Sequence, residues 1–433
     1  MTRQYSFVIF IVVVLSAFLI TYESNPQVNK DFQGQNSGIV KNIELKSQTM
    51  NIYVDNVLIK SYDKDQALNP GDIISYSGKF KDVGYYTHKY DDASYTNYLK
   101  SKKVDYICYP QAIEISGHKN GLYSIRGRTI DRLETYIDNI YRTDSPIFKA
   151  LVYGDRTELE DYTKTSFSHT GTSHILALSG FHVGIILVFI NILLTKVSVR
   201  KRGLISTLIL IIYGFLTGMR PSIVRAVVFF AVYYSAFLKE QRYNILSTAF
   251  VTAALLIACN PYYIYDAGFQ LSFASVISIG MMLPFIQKYK IPLFIGITVS
   301  AQLLTQPIVI YNFGTMPLFG LCANFIIIPL ISLLMVLFII SLVVYGLASL
   351  AGGFVIIGKY MVEGIILLKD ITLKINSLFE GLPLAYMENL QVEIWKILLY
   401  YVIILVIYNI LEIHTIKENK YEFEQLPKII TGE

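Results

Sequence analysis

From Thr172 to Leu411 the chain is a succession of apolar runs, and nothing else in it limits the fold so strongly. After Thr172–Leu194 come Leu204–Gly218, Ile223–Leu238, Ile245–Cys259, Ala267–Ile286, Pro292–Ile310, Ile331–Leu350, Phe354–Leu368 and Val392–Leu411. About 20 helical residues cross the ~30 Å of bilayer hydrocarbon. In lipid every backbone N–H and C=O must be satisfied internally, which selects helices. Of the 433 residues 53% are hydrophobic and only 16% charged, against ~25% in soluble domains. The chain therefore reads as a polytopic α-helical membrane protein, with residues 172–411 as its bundle. Arg3 precedes Phe7–Ile20, and Thr21-Tyr22-Glu23-Ser24 offers no small-x-small cleavage pattern. Residues 1–22 thus read as a membrane anchor, with the following segment emerging on the extracytoplasmic side. The densest basic run, Lys196 to Arg202, and the turns at Lys239–Arg242 and Lys288–Lys290 are cytoplasmic by the same rule. A net charge of +5 excludes a uniformly basic surface, so any nucleic-acid contact is local.

Residues 23–127 have a different character, with alternating polarity and strong turn signals. Gly38–Leu45, Asn51–Lys60, Asp72–Phe80 and Val104–Ser116 read as strands, and Asn69-Pro70-Gly71-Asp72 as a turn. Short strands with long connections suggest a small barrel, a β-rich extracytoplasmic domain at the N-terminus. Tyr53, Tyr76 and Tyr106 either stack bases of single-stranded nucleic acid or pack this domain's core. Of the cysteines Cys108, Cys259 and Cys322, only Cys108 lies here, so no disulfide is expected within the domain and no zinc cluster in the chain. Residues 128–171 read as amphipathic surface helices, with Ile130, Leu133, Ile137, Ile140 and Tyr141 at helical spacing. Behind Asp155 and Arg156, Thr157-Glu158-Leu159-Glu160 has the form of a capping box. Residues 412–433 are a polar tail expected to be disordered at its end.

Polar groups inside the apolar runs are the candidates for function, because each costs free energy in lipid unless it faces other helices or a wet cavity. His174, Ser179 and His182 lie in the opening turns of Thr172–Leu194, read as one continuous span. Gly180 with Gly184, and Gly214 with Gly218, are G-x-x-x-G pairs suited to close helix packing. Arg220 and Arg225 fall away from the positive side. Pro221 suits the first turn of a helix whose free N–H groups would, with both arginines and Ser222, hold phosphate; snorkelling of the arginines is the other reading. Asp266 suits an N-cap, with Gln270 one turn on. Gln302, Thr305 and Gln306 form a polar stripe, and Asn312, Asn324, Pro317 and Pro329 suggest a second broken region over residues 312–330.

Four motifs in order resemble the ComEC-type competence proteins. They are Leu151-Val152-Tyr153-Gly154-Asp155-Arg156-Thr157, Ser173-His174-Ile175-Leu176-Ala177-Leu178-Ser179-Gly180-Phe181-His182-Val183-Gly184, Arg220-Pro221-Ser222-Ile223-Val224-Arg225-Ala226, and Asn260-Pro261 followed by Asp266 to Phe273. The resemblance implies an OB-like barrel in the ectodomain, with the family's "FDY..YL" segment at Asp91–Lys100. It also implies an inner-membrane channel that passes single-stranded DNA during transformation. Surface DNA receptor, cytosolic helicase-like ATPase and lipid bilayer are the implied partners. The pore-lining set would be His174, Ser179, His182, Asp266, Gln270, Gln302, Gln306 and Asn324. Many relatives continue into a metallo-β-lactamase-like domain, whose His-x-His-x-Asp-His motif occurs nowhere in this chain, so a separate nuclease is expected if strand degradation occurs. No G-x-x-x-x-G-K-[ST] loop is present, and no Ser/His/carboxylate set accumulates, so neither a nucleotide motor, an enzyme nor a cofactor site is expected. Two alternatives remain: a small-anion transporter on the same bundle, or a scaffold whose glycines and amides only pack helices. The channel could be one chain or a dimer.

Overall fold

The computed structural model describes residues 3–23, 31–45, 49–63, 66–84, 94–239, 244–351 and 355–431. Helix α1 (Arg3–Glu23) leads into five strands: β1 (Phe32–Leu45), β2 (Met50–Val54), β3 (Val57–Ser61), β4 (Asp72–Asp82) and β5 (Tyr106–His118). They close a barrel in the order β1-β2-β3-β5-β4, with β4 returning to β1. Only the β3–β5 pairing is parallel. This is the OB-like barrel. Along β4 the burial alternates strictly, placing Ile74, Tyr76 and Phe80 in a core with Val40, Ile52 and Ile59. Asn51–Lys60 is two strands rather than one. Asp55, at φ +50°, and Asn56 turn the chain between Val54 and Val57, since short polar side chains tolerate the left-handed region. Helix α2 (Ser94–Ser101) plugs one end, packing Leu99 on Leu58, Val83, Val104 and Ile107. The first residues of the Asp91–Lys100 segment lie outside the described residues, as do residues 240–242 of the basic turn.

Tyr76 is buried in the barrel core, which pushes its hydroxyl up to about 12. Tyr106 packs against the same core. Tyr53 donates to Glu44 at 3.1 Å and lies under the Lys102 ammonium, 5.4 Å from ring centre. Cys108, fully buried, has its thiol pushed up to about 11 by burial.

Three short helices follow: α3 (Leu122–Tyr141), α4 (Ser145–Tyr153) and α5 (Asp161–His169). The apolar face of α3 meets protein, since Ile137, Ile140 and Tyr141 join Phe148, Phe167, Ile331, Leu334 and Phe338 in one core. The capping box at Thr157 does not form. Asp155 Oδ1 instead accepts the Thr157 N–H at 2.9 Å and its hydroxyl at 2.7 Å, closing a local turn, and the helix starts at Asp161.

Thr172–Leu194 is not one helix. It is α6 (Ser173–Leu176), an extended Ala177–Ser179, and α7 (Gly180–Leu193). Ser179 is extended (φ −137°, ψ 172°), and its N–H donates to His182 Nδ1 at 3.2 Å. Serine satisfies a helix start better than an interior, and Gly180 with Gly184 lowers the gain from bridging the break.

The bundle continues with α8 (Val199–Leu216), α9 (Pro221–Leu238), α10 (Ile245–Cys259), α11 (Ala267–Lys288), α12 (Leu293–Phe313), α13 (Gly320–Ala351), α14 (Val355–Glu380) and α15 (Ile394–Thr431). Five helices among the described residues are long and apolar enough to cross a membrane, within α9, α11, α12, α13 and α15. Helix α1 lies on α10, with Phe10 stacked on Phe250 and Ala17 against Ala249 and Ala253. The second break is confined to residues 314–319. Gly314 ends α12 at φ +64°, and Met316-Pro317 (β6) pairs with Tyr386-Met387 (β7), while α13 runs through Asn324 and Pro329. Of Phe354–Leu368, the described residues and those after them form one helix, α14, in which Asn376 binds Ser166 and Thr170 at 2.9 and 2.8 Å, while Phe354 lies outside the described residues. Up to Thr431 the tail continues α15, and its last residues, 432–433, lie outside the described residues.

Candidate functional site

The four motifs lie far apart in sequence and meet where the barrel joins the bundle. Arg220 is the N-cap residue of α9 and Pro221 its first helical residue, where a missing N–H costs nothing. The Ser222 hydroxyl donates to the Leu178 carbonyl at 2.5 Å, so the start of α9 satisfies backbone freed by the break between α6 and α7. Gly154 completes the contact. It sits at φ +76°, and a Cβ there would lie 2.7 Å from Arg220 Nη1 and 2.8 Å from Leu178 Cγ. Tyr213 of α8 donates to the Val152 carbonyl at 2.7 Å, holding the first motif on the bundle.

The two arginines of the third motif have different surroundings. Arg225 is 7% exposed, with Nη2 donating to the Gly268 carbonyl at 2.9 Å and Nη1 3.7 Å from Asp266 Oδ1. Asp266 also caps α11, accepting the Phe269 N–H at 2.6 Å. Arg225 thus ties α9 to the start of α11. Arg220 is half-buried, and among the described residues its guanidinium has no ion pair.

A model of the Competence protein family matches residues 151–413, more than half of the chain. The chain belongs to the Competence protein family. ComE operon protein 3 of Bacillus subtilis (strain 168) is 32% identical over 187 residues, which cover 42% of this chain and 24% of that protein. An uncharacterized protein of Aquifex aeolicus (strain VF5) is 30% identical over 135 residues, 31% of this chain and 32% of its own. The matched parts span about a quarter to a third of the length of these relatives. No solved structure matches the chain.

The remaining candidates of this Competence-family chain are scattered. His182 is fully buried, and its Nε2 has no hydrogen-bond partner. Ser179 is half-buried beside it, while His174 is exposed on α6, across the break. Gln270 donates to the Ile264 carbonyl at 2.8 Å and its Oε1 faces Asn312 at 3.4 Å. Gln302 and Gln306 are half-buried on α12. Asn324 is 6% exposed with its Oδ1 unpartnered. Gly180 has Ala226 Cβ 3.8 Å from where its own Cβ would sit, and Gly214 has Ile223 at 3.6 Å. Gly184, expected to admit a neighbouring helix, has nothing within 4 Å of where its Cβ would sit. Gly218 does not pack a helix either: at φ +78° it ends α8 against the Arg126 guanidinium, where a Cβ would lie 2.7 Å from Nη2. Among the described residues no group of three His, Cys, Asp or Glu side chains could hold a metal.

Sequence reasoning missed Arg126. On the first turns of α3, it donates from Nε to the Leu216 carbonyl at 3.0 Å and from Nη1 to Asn42 Oδ1 of β1 at 3.2 Å. An arginine on an amphipathic helix reads as solvated, and no local signal marks a partner 90 residues away. Asn260 makes a second tie between the two halves, donating to the Ser101 carbonyl at 2.9 Å.

Proposed function

We propose that the chain is the membrane channel of competence DNA uptake and passes single-stranded DNA between its helices. One observation carries the reading beyond family membership. The family-like motifs converge on the junction of barrel and bundle and leave an arginine there that has no ion pair among the described residues. A wet path for an anionic polymer needs cations that bind each phosphate weakly, so that the strand can both enter and leave. Arg220 meets that need. Arg225, neutralised by Asp266 and the Gly268 carbonyl, supports the path by fixing α9 and α11. Ser222 holds the helix break open rather than offering its hydroxyl to phosphate. His174, Ser179, His182, Gln270, Gln302, Gln306 and Asn324 are the proposed polar lining.

Such a path reads charge rather than bases, and is therefore blind to sequence. A surface DNA receptor would deliver the strand, and a cytosolic helicase-like ATPase would draw it inward. The test is passage of a labelled single-stranded oligonucleotide into liposomes carrying the purified chain, under an imposed potential and with the motor added. Entry of single strands but not duplex supports the reading. Folded protein that passes neither, with the motor present, refutes it.

A further inference from the structure

We infer that Arg126, Arg156 and Arg220 form one station that holds successive backbone phosphodiesters of an incoming single strand at the seam between barrel and bundle. This rests on the DNA-uptake reading above and names a binding site within it. The three come from different parts of the chain: α3, the turn after α4, and the cap of α9. Two left-handed glycines make room for them. Gly154 lies against the Arg220 guanidinium and Gly218 against that of Arg126, each at a distance that any Cβ would close to 2.7 Å. Glycine costs conformational entropy, and its use twice at arginine contacts keeps the guanidinium groups close in.

The cluster is electrostatically incomplete. Burial, and then the charge of Arg220, lower the proton affinity of both Arg126 and Arg156. Like charges so placed repel one another, and half-burial weakens the screening by water. The acceptors of Arg126 among the described residues are neutral, Leu216 O and Asn42 Oδ1. Among the described residues neither Arg156 nor Arg220 has an ion pair; the adjacent Asp155 carboxylate is engaged by Thr157. Three cations held together without an anion call for one from outside, and all three side chains stay partly accessible.

The chemistry favours phosphodiesters of a polymer. Guanidinium forks match phosphate oxygens bidentately, and the start of α9 adds its positive dipole end. A single monoanion leaves most of the charge uncompensated, whereas a strand brings charges at regular spacing. The location agrees, because Arg126 reaches Asn42 on the barrel and Leu216 on the bundle, so a strand passing between them meets all three.

The test is fluorescence anisotropy of a labelled oligothymidine with the full-length chain in neutral detergent, over a range of salt. Arg156→Gln and Arg220→Gln should each weaken binding about tenfold and flatten the salt dependence by about 0.7 log units per log salt for each phosphate no longer neutralised. Arg156→Lys should restore part of the affinity, and oligodeoxyadenosine should bind alike. Melting curves establish that the variants are folded. Unchanged affinity in both folded Gln variants overturns the station, as does displacement of the oligonucleotide by phosphatidylglycerol at equal phosphate, which would make it a lipid-headgroup site. The liposome assay keeps the two readings apart. Strand passage with variant-insensitive binding sinks the station and leaves the channel; arginine-dependent binding without passage sinks the channel.

Discussion

Arg220 and Arg225 share one helix and one motif, yet their surroundings give them opposite roles. Replacing Arg225 by Gln leaves the Gly268 carbonyl without its donor and the partly buried Asp266 carboxylate without its cation, a loss of about 1–3 kcal/mol. The variant should melt well below the unaltered chain in detergent. Arg220→Gln removes a repulsive charge and should melt at the same temperature or higher. A drop for Arg220→Gln as large as for Arg225→Gln would show that Arg220 is also a structural residue. In the barrel, burial works against ionisation of Asp105, but hydrogen bonds from Lys100 (2.7 Å) and Asn56 (2.9 Å) and the Lys100 charge outweigh it and hold the carboxyl below its usual range. Its folded value is depressed, so its contribution is present above the ordinary value of about 4 and fades as pH falls through the folded one. Asp105 is 44% exposed, so Asp105→Asn should cost no more than about 1 kcal/mol at pH 7. Melting temperatures of the two chains should converge in acid below about pH 4.

At the scale of elements, the break at Ala177–Ser179 decides how the second and third motifs meet. Removing the Ser179 hydroxyl, which lies 3.1 Å from His182 Nδ1, by Ser179→Ala should lower stability by about 1 kcal/mol, read from thermal unfolding. Glycines on either side of this contact should respond differently to alanine. At Gly154 the positive φ and the 2.7 Å approach to Arg220 make Gly154→Ala destabilising. At Gly184, mid-helix and in open space, Gly184→Ala should stabilise by about 0.5–1 kcal/mol. Equal melting of the two variants would contradict the packing described around Leu178.

For the whole molecule, the barrel is fastened to the bundle by a few polar ties rather than by a shared apolar core, since the barrel and bundle residues fall in separate clusters. Asn260→Ala strands the Ser101 carbonyl in a buried site, at about 1–3 kcal/mol. It should speed tryptic cleavage at Lys102 and Lys103 while leaving bundle unfolding almost unchanged. Cleavage at the unaltered rate would mean that other contacts hold the barrel.

The bundle, the barrel class and the motif residues were legible in the chain because hydropathy, alternation and turn chemistry are local. Length of apolar run reports a span, and Asn69-Pro70-Gly71 reports a turn, whatever surrounds them. The Asp55 turn was missed because a two-residue loop barely interrupts an alternating run, and the central break because its residues are apolar enough to read as helix. Tertiary structure alone decided that Arg225 faces Asp266, that Ser222 binds a carbonyl, and that Arg126 reaches Leu216 and Asn42. Those are pairings between groups tens of residues apart, set by how helices pack. Whether an arginine is neutralised or left free depends on what packing brings to it.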